Sequence, residues 1–148
     1  MIGRIPMPGI LLAVALAFPA GVAIAQSAPA IKPQTAPSGL TYLTGGVGDA
    51  QQQAMKEAMP GYSLRLTFAR PGSGNYLADV KVRIDQQGKG RDDMKQVLDV
   101  VSTGPMLFAK VGDGDYQVRA DHKGQVQTKT ASIRNGAPRE LVFYFPEK

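Results

Sequence analysis

Two residue types are absent from this 148-residue chain and a third is close to it: there is no cysteine, no tryptophan and one histidine, His122. Without cysteine no disulfide can form and no lipid can be attached at a lipoprotein-type cysteine, so burial of apolar side chains must supply the stability. The 43% of residues that are hydrophobic are enough for that. Any metal site would have to draw on one imidazole, methionines and carboxylates, whereas zinc sites want several nitrogen or sulfur ligands. Cu(I) accepts thioether, but Met55, Met59, Met94 and Met106 are scattered without a Met-x-Met run, and filling of the core explains them. A serine nucleophile would have only His122 as its base, and no Gly-x-Ser-x-Gly elbow exists. Ser73 lies between two glycines, but in a turn. His122 itself stands in a predicted turn beside Lys123 and Gly124 and is expected to face solvent.

Acid chemistry is equally thin. The close carboxylate pairs are Asp92-Asp93 and Asp113-x-Asp115, and sequence neighbours on a turn do not converge across a cleft as two-carboxylate hydrolysis requires. Asp113-Gly114-Asp115 resembles a fragment of a calcium loop, without the remaining ligands or the terminal glutamate. These aspartates read as turn formers. No catalytic residue, metal ligand or cofactor-binding residue is predicted, and the chain is expected not to be an enzyme.

Charge of one sign does not dominate either. The chain has 17 basic and 12 acidic residues, a net +5. Lysines and arginines alternate with aspartates rather than clustering on one run or face, which argues for solvated strand faces and against a nucleic-acid partner.

What is present begins with Arg4, an apolar stretch from Ile10 to Ile24, and Ala23-Ile24-Ala25 ahead of Gln26. One early positive charge, an apolar core and small residues at the −3 and −1 positions predict a secretory signal peptide over residues 1–25, cleaved after Ala25. A spanning helix needs about 20 apolar residues; this stretch is shorter and carries Pro19 and Gly21. The mature protein is therefore expected to be periplasmic or secreted, without a membrane anchor, and to lose Arg4 with the signal. Residues 26–39, rich in Ala, Pro, Gln and Ser, read as a flexible leader. Residues 40–148 are left as one domain.

Period-two alternation runs through that domain. Tyr62, Leu64, Leu66 and Phe68 are predicted to share one strand face, with a Pro71–Asn75 loop after them. Ala78, Val80, Val82 and Ile84 are predicted inward, with Asp79, Lys81, Arg83 and Asp85 outward. After a turn at residues 86–90, Met94 to Val101 is a third strand with imperfect alternation, and a short helix near Asp92 is an alternative. Met106 to Val111 is almost continuously apolar. Tyr116, Val118 and Ala120 mark the next strand. Val126 to Ile133 is polar on both faces and is placed at a sheet edge, where Lys129 would discourage pairing with another chain. Asn135-Gly136 is a hairpin-type signal, and Leu141, Phe143 and Phe145 close the core. Leu40 to Leu43 adds an edge strand. Strands of this number and spacing predict a mainly β protein of seven to eight strands, a sandwich or a barrel.

One short helix interrupts near the start: Asp49 is its expected cap, with Gln52 completing a capping box, and Pro60-Gly61 stops it. Ala50, Ala54, Met55, Ala58 and Met59 fall on one face. Gly45-Gly46-Val47-Gly48 before it lacks the third glycine of a dinucleotide fingerprint and the Walker lysine. It reads as a flexible connection, with an anion nest as the weaker alternative. Tyr116, entering a strand after Gly-Asp, suits a tyrosine corner whose phenol satisfies a backbone group.

Gly104-Pro105-Met106-Leu107-Phe108, the following Val111-Gly112-Asp113-Gly114-Asp115-Tyr116-Gln117-Val118, and Tyr76-Leu77-Ala78-Asp79-Val80 with Val82 and Ile84 together resemble the pattern of carboxypeptidase regulatory-like domains. Over roughly residues 40–145 the chain is similar to short exported proteobacterial proteins of that kind. The resemblance implies a Greek-key, transthyretin (prealbumin)-like sandwich without peptidase activity, and it carries no catalytic residues over. The function expected is that of an exported, non-catalytic module that binds a protein or envelope partner. Carbohydrate binding is the alternative: Tyr144 is the main aromatic on an outward face. A periplasmic copper carrier is a more distant one.

Overall fold

The computed structural model describes residues 30–147 and, nearer the start, Gly3, Arg4, Gly9, Ala17 and Gly21. The signal peptide expected over residues 1–25, and the first part of the leader, lie outside the described residues. Among those described, no helix is long and apolar enough to cross a membrane.

Two sheets face each other. The first runs β1 (Gln34–Thr35), β2 (Thr41–Gly45), β6 (Met106–Lys110), β3 (Leu64–Ala69) and β9 (Arg139–Tyr144), in that spatial order. The second runs β5 (Met94–Val101), β4 (Lys81–Gln87), β7 (Gly114–His122) and β8 (Gln125–Ile133). Every neighbouring pair is antiparallel except β3 and β9, which run parallel. Over the described residues the protein is thus mainly β, as its alternation predicts: a two-sheet sandwich with one short α-helix. The strand not anticipated is β1, which pairs Gln34 with Tyr42 and Thr35 with Thr41 inside the stretch expected to be a leader, with Ala36 buried behind it. Its presence puts β2 second in the sheet rather than at the edge expected for Leu40 to Leu43.

The core lies between the sheets. Leu64, Leu66 and Phe68 of β3 meet Leu107, Phe143 and Phe145 from their own sheet and Val80, Val82, Ile84 and Val118 from the opposite one. The Phe68 and Phe143 rings lie 5.9 Å apart in a tilted arrangement. Each such fully buried side chain contributes roughly 1.5–3 kcal/mol relative to exposure.

The alternation fails at three points, each with a backbone cause. Tyr62 precedes β3, follows a 3-10 turn at Met59–Gly61, and packs on the other side of the sheet against Phe108, with ring centroids 6.1 Å apart. Asp79 holds a left-handed backbone at φ 58, so β4 begins only at Lys81; upstream of it Leu77 is the buried residue and Tyr76 turns out. In the β4–β5 pair Ile84 faces Leu98 and Asp85 faces Gln96, which leaves Val97 without a partner. That bulge accounts for the irregular pattern of β5. Asp85, predicted outward, is buried and takes both its carboxylate contacts from Arg83 Nε at 3.1 and 3.0 Å. No helix forms near Asp92, where the chain turns instead.

Helix α1 (Gly48–Ala58) packs on the outer face of the five-stranded sheet. There Met55, fully buried, joins Leu43, Tyr62, Met106 and Phe108 in a second, smaller core. Asp49 is not the cap. Val47 occupies that position without a side-chain bond, and Gln51 reaches back to accept the Gly46 and Val47 amides at 3.2 and 3.0 Å. Two of the amides an anion nest would use, those of Gly46 and Val47, are thereby satisfied internally.

The end of the sandwich between β8 and β9 is closed by side chains. Because β9 is parallel to β3, alternate residues turn their backbone groups towards it; Arg139 and Phe145 donate to Ser63 and Ala69 at 2.8 and 2.9 Å. The intervening carbonyls point the other way, towards β8. Gln125 donates to Pro146 O at 3.0 Å, Gln127 to Tyr144 O, and Lys129 to Val142 O at 2.5 Å. Three alternate residues of β8 therefore cap three alternate carbonyls, two in β9 and one at Pro146 just beyond it. Asn135 and Gly136 both adopt left-handed backbone, at φ 56 and 68, as the hairpin signal requires. The strands they join nevertheless belong to different sheets. The Asp113 carboxylate accepts both of their amides at 2.9 Å and holds the crossing in place.

Candidate functional site: a groove flanked by two tyrosines

The residues singled out for chemistry do not converge. Asp113 is occupied as described. Asp115 accepts Ser132 Oγ at 2.6 Å and Arg134 at 2.9 Å, and these bonds hold its carboxyl below the usual range. Tyr116 donates its phenol to Gly112 O at 2.8 Å, four residues upstream, so its role is to pin the turn into β7; burial pushes its hydroxyl pKa up. Among the described residues no group of three or more His, Asp or Glu side chains is placed to hold a metal ion.

His122 differs most from expectation. It is not an exposed turn residue: β7 continues through it, so Tyr116, Val118, Ala120 and His122 all point inward, and the turn begins at Lys123 and Gly124 with φ of 50 and 84. Only 8% of the residue is exposed, and its ring packs on Phe145 at 5.6 Å. Nδ1 is buried without a hydrogen-bond partner. Burial lowers its pKa, and Lys123 and Arg70 lower it further against a weaker opposing pull from Asp79 and Asp121.

The surface feature that stands apart is on the outer face of the five-stranded sheet. Helix α1 covers that face over β2 and β6, while over β3 and β9 a groove of about 390 Å³ remains. Lys56 and Met59 from the end of the helix form one wall, Tyr76 and Tyr144 the other, and Thr67 and Glu140 lie along it. Tyr76 follows the Pro71–Asn75 turn and is bridged to Ala69 through its backbone. Tyr144 is the last residue of β9. They are 52% and 50% exposed, and no other aromatic ring among the described residues is comparably open. Large half-exposed aromatics with a polar tip are suited to recognition, because they offer apolar area and a hydrogen-bonding group together. Tyr144 was legible in sequence because its parity is opposite to that of Phe143 and Phe145. Tyr76 was not, since it shares parity with Ala78 and Val80 and only the left-handed Asp79 turns it outward.

The groove combines two aromatic faces with their phenol hydroxyls, one ammonium, one carboxylate and the hydroxyl of Thr67. That set can bind, orient and discriminate. No protein-family model matches the chain, and no curated protein does.

Proposed function

We propose that this protein is an exported, non-catalytic β-sandwich module of the transthyretin-like type, which binds a protein or envelope component through the groove on its five-stranded sheet. The observation that carries the reading is the shared position of Tyr76 and Tyr144, the two exposed aromatics among the described residues, on one concave strip of surface. Apolar surface concentrated in a concave patch marks binding sites more often than scattered exposure does. The reading is tested by capture from envelope extracts with the wild type and a Tyr76→Ala/Tyr144→Ala double variant. A partner recovered by the wild type and lost in the variant is expected. Recovery of the same partner by both proteins, or of none above background at several salt concentrations, counts against it.

A second reading, carbohydrate binding, is favoured by the pairing of both ring faces with Lys56, Glu140 and Thr67. Sugars present apolar C–H faces to stack on rings and hydroxyls to bond with charged and polar groups. Saturable binding on a glycan array that is abolished by Tyr144→Ala and by Tyr76→Ala would select this ligand class. An array on which neither variant differs from wild type rejects it.

A further inference from the structure

At the opposite side of β9 from its pairing with β3, a small pocket of about 230 Å³ is lined by Arg70, His122, Lys123, Gln125, Pro146 and Glu147. Its hydrogen bonding is incomplete. The Arg70 side chain is three-quarters buried, and its one ion-pair contact is the exposed Glu147 carboxylate at 3.8 Å, too long for a hydrogen bond. A guanidinium carries five donors, and those of Arg70 are not enclosed, so they are open to an acceptor arriving from solvent. His122 is more than nine-tenths buried, and its enclosed Nδ1 has no acceptor. A proton on Nδ1 would be stranded, so the neutral ring holds its proton on Nε2, the nitrogen that is not enclosed. Arg70, Lys123 and His122 thus surround the pocket as donors, with Gln125 already committed to Pro146 O. Two carboxylates lie near, Asp79 and Asp121; Asp121 accepts the Gly124 amide at 2.9 Å, and neither lines the pocket.

We infer that this pocket is a binding site for a small oxyanion, a phosphate or carboxylate group, which takes hydrogen bonds from Arg70, Lys123 and His122, and that the Glu147 carboxylate occupies its mouth when the site is empty. Acceptor-rich anions of this size complement a guanidinium, an ammonium and an imidazole N–H, and bonds to charged donors are the stronger kind. The Glu147 side chain is mostly exposed and its contact with Arg70 is long, so displacing it costs little. The inference does not depend on the tyrosine groove, and either can fail without the other.

The single histidine supplies the probe, because the full chain has one set of imidazole proton signals. Inorganic phosphate, and acetate in a parallel series, are titrated at pH 7 and constant ionic strength while those signals are followed by NMR. A saturable shift is expected, weakened about tenfold or more in Arg70→Gln, the loss of one charge-assisted bond. Lys123→Gln, on an exposed turn, should weaken it as well and serves if Arg70→Gln does not fold. Glu147→Gln should tighten binding. Bound anion must also raise the pH midpoint of the imidazole, since the coupling is reciprocal. Tighter phosphate than acetate identifies a phosphate site, and the reverse a carboxylate site. The inference is overturned if neither wild type nor Glu147→Gln saturates, or if the shift saturates identically in wild type, Arg70→Gln and Lys123→Gln.

Discussion

Lys129→Met removes an ammonium while keeping an unbranched apolar stem of similar length, so it isolates the polar part of the clasp between β8 and β9. The ammonium donates to Val142 O at 2.5 Å and lies 5.3 Å from the centroid of the Phe143 ring. A hydrogen bond from a charged donor contributes about 1.5–3 kcal/mol net, and a cation that is itself partly exposed adds roughly 0.5–1 kcal/mol over an aromatic ring, here the buried Phe143. Water can reach the half-buried Val142 carbonyl once the lysine is gone, and methionine regains some apolar burial, so both sums belong at their lower ends. The expected loss is about 1.5–2 kcal/mol, read from urea unfolding by circular dichroism as a lower midpoint at unchanged m-value. Because the acceptor is a neutral carbonyl, the loss should persist at high salt, unlike that of a surface ion pair. Lys95→Met, on the exposed part of β5, is the control and should cost less than about 0.5 kcal/mol. A Lys129→Met protein within that same margin of wild type, or a loss that disappears in salt, refutes the role given to the clasp.

A Cβ at Gly104 would sit inside contact distance of the Gly45 backbone carbonyl, so Gly104→Ala should destabilise by about 1–3 kcal/mol in thermal or urea melts. Gly112→Ala meets nothing within 4 Å and should be close to neutral. Tyr116→Phe loses the bond to Gly112 O and should cost about 0.5–1.5 kcal/mol by the same measurement. His122 has a lowered pKa in the fold. The unfolded chain therefore takes up the proton first, near pH 6.5, and stability falls as pH drops below about that value. His122→Phe should flatten the stability profile between about pH 7 and 5, and an unchanged slope would show that another group is responsible.

Sequence patterning was reliable wherever a strand keeps one backbone conformation along its length. Leu64 to Phe68, Val80 to Ile84 and Tyr116 to Ala120 are placed on their faces by parity alone, and Met94–Val101 was bounded correctly in spite of its irregular alternation. Parity misled where a single residue changes the phase. Asp79 does so with a positive φ, which hid Tyr76; Val97 does so as a bulge, which coincides with the burial of Asp85. His122 was misplaced because a turn's first residue and a strand's last look alike in composition. The edge position of β8 was readable from its polarity. What its side chains reach was not, since Gln125, Gln127 and Lys129 bond to carbonyls 13 to 21 residues away on a strand they do not pair with. Half of the groove was accessible for the same reason that half was not: Tyr144 obeys its strand's period and Tyr76 does not.

The parallel β3–β9 pair also constrains how the chain can be made. Leu64 must wait for Arg139, 75 residues later, before its sheet gains that neighbour. Ordering so long a loop precedes any return from the contact, and topologies of this kind fold slowly. Until β9 has been made and has left the ribosome, β3 keeps one edge bare, with Leu64, Leu66 and Phe68 unprotected beside it. A chain stopped before residue 139 would carry that aggregation-prone edge permanently. Pairing with β9 is thus what removes the open edge of β3.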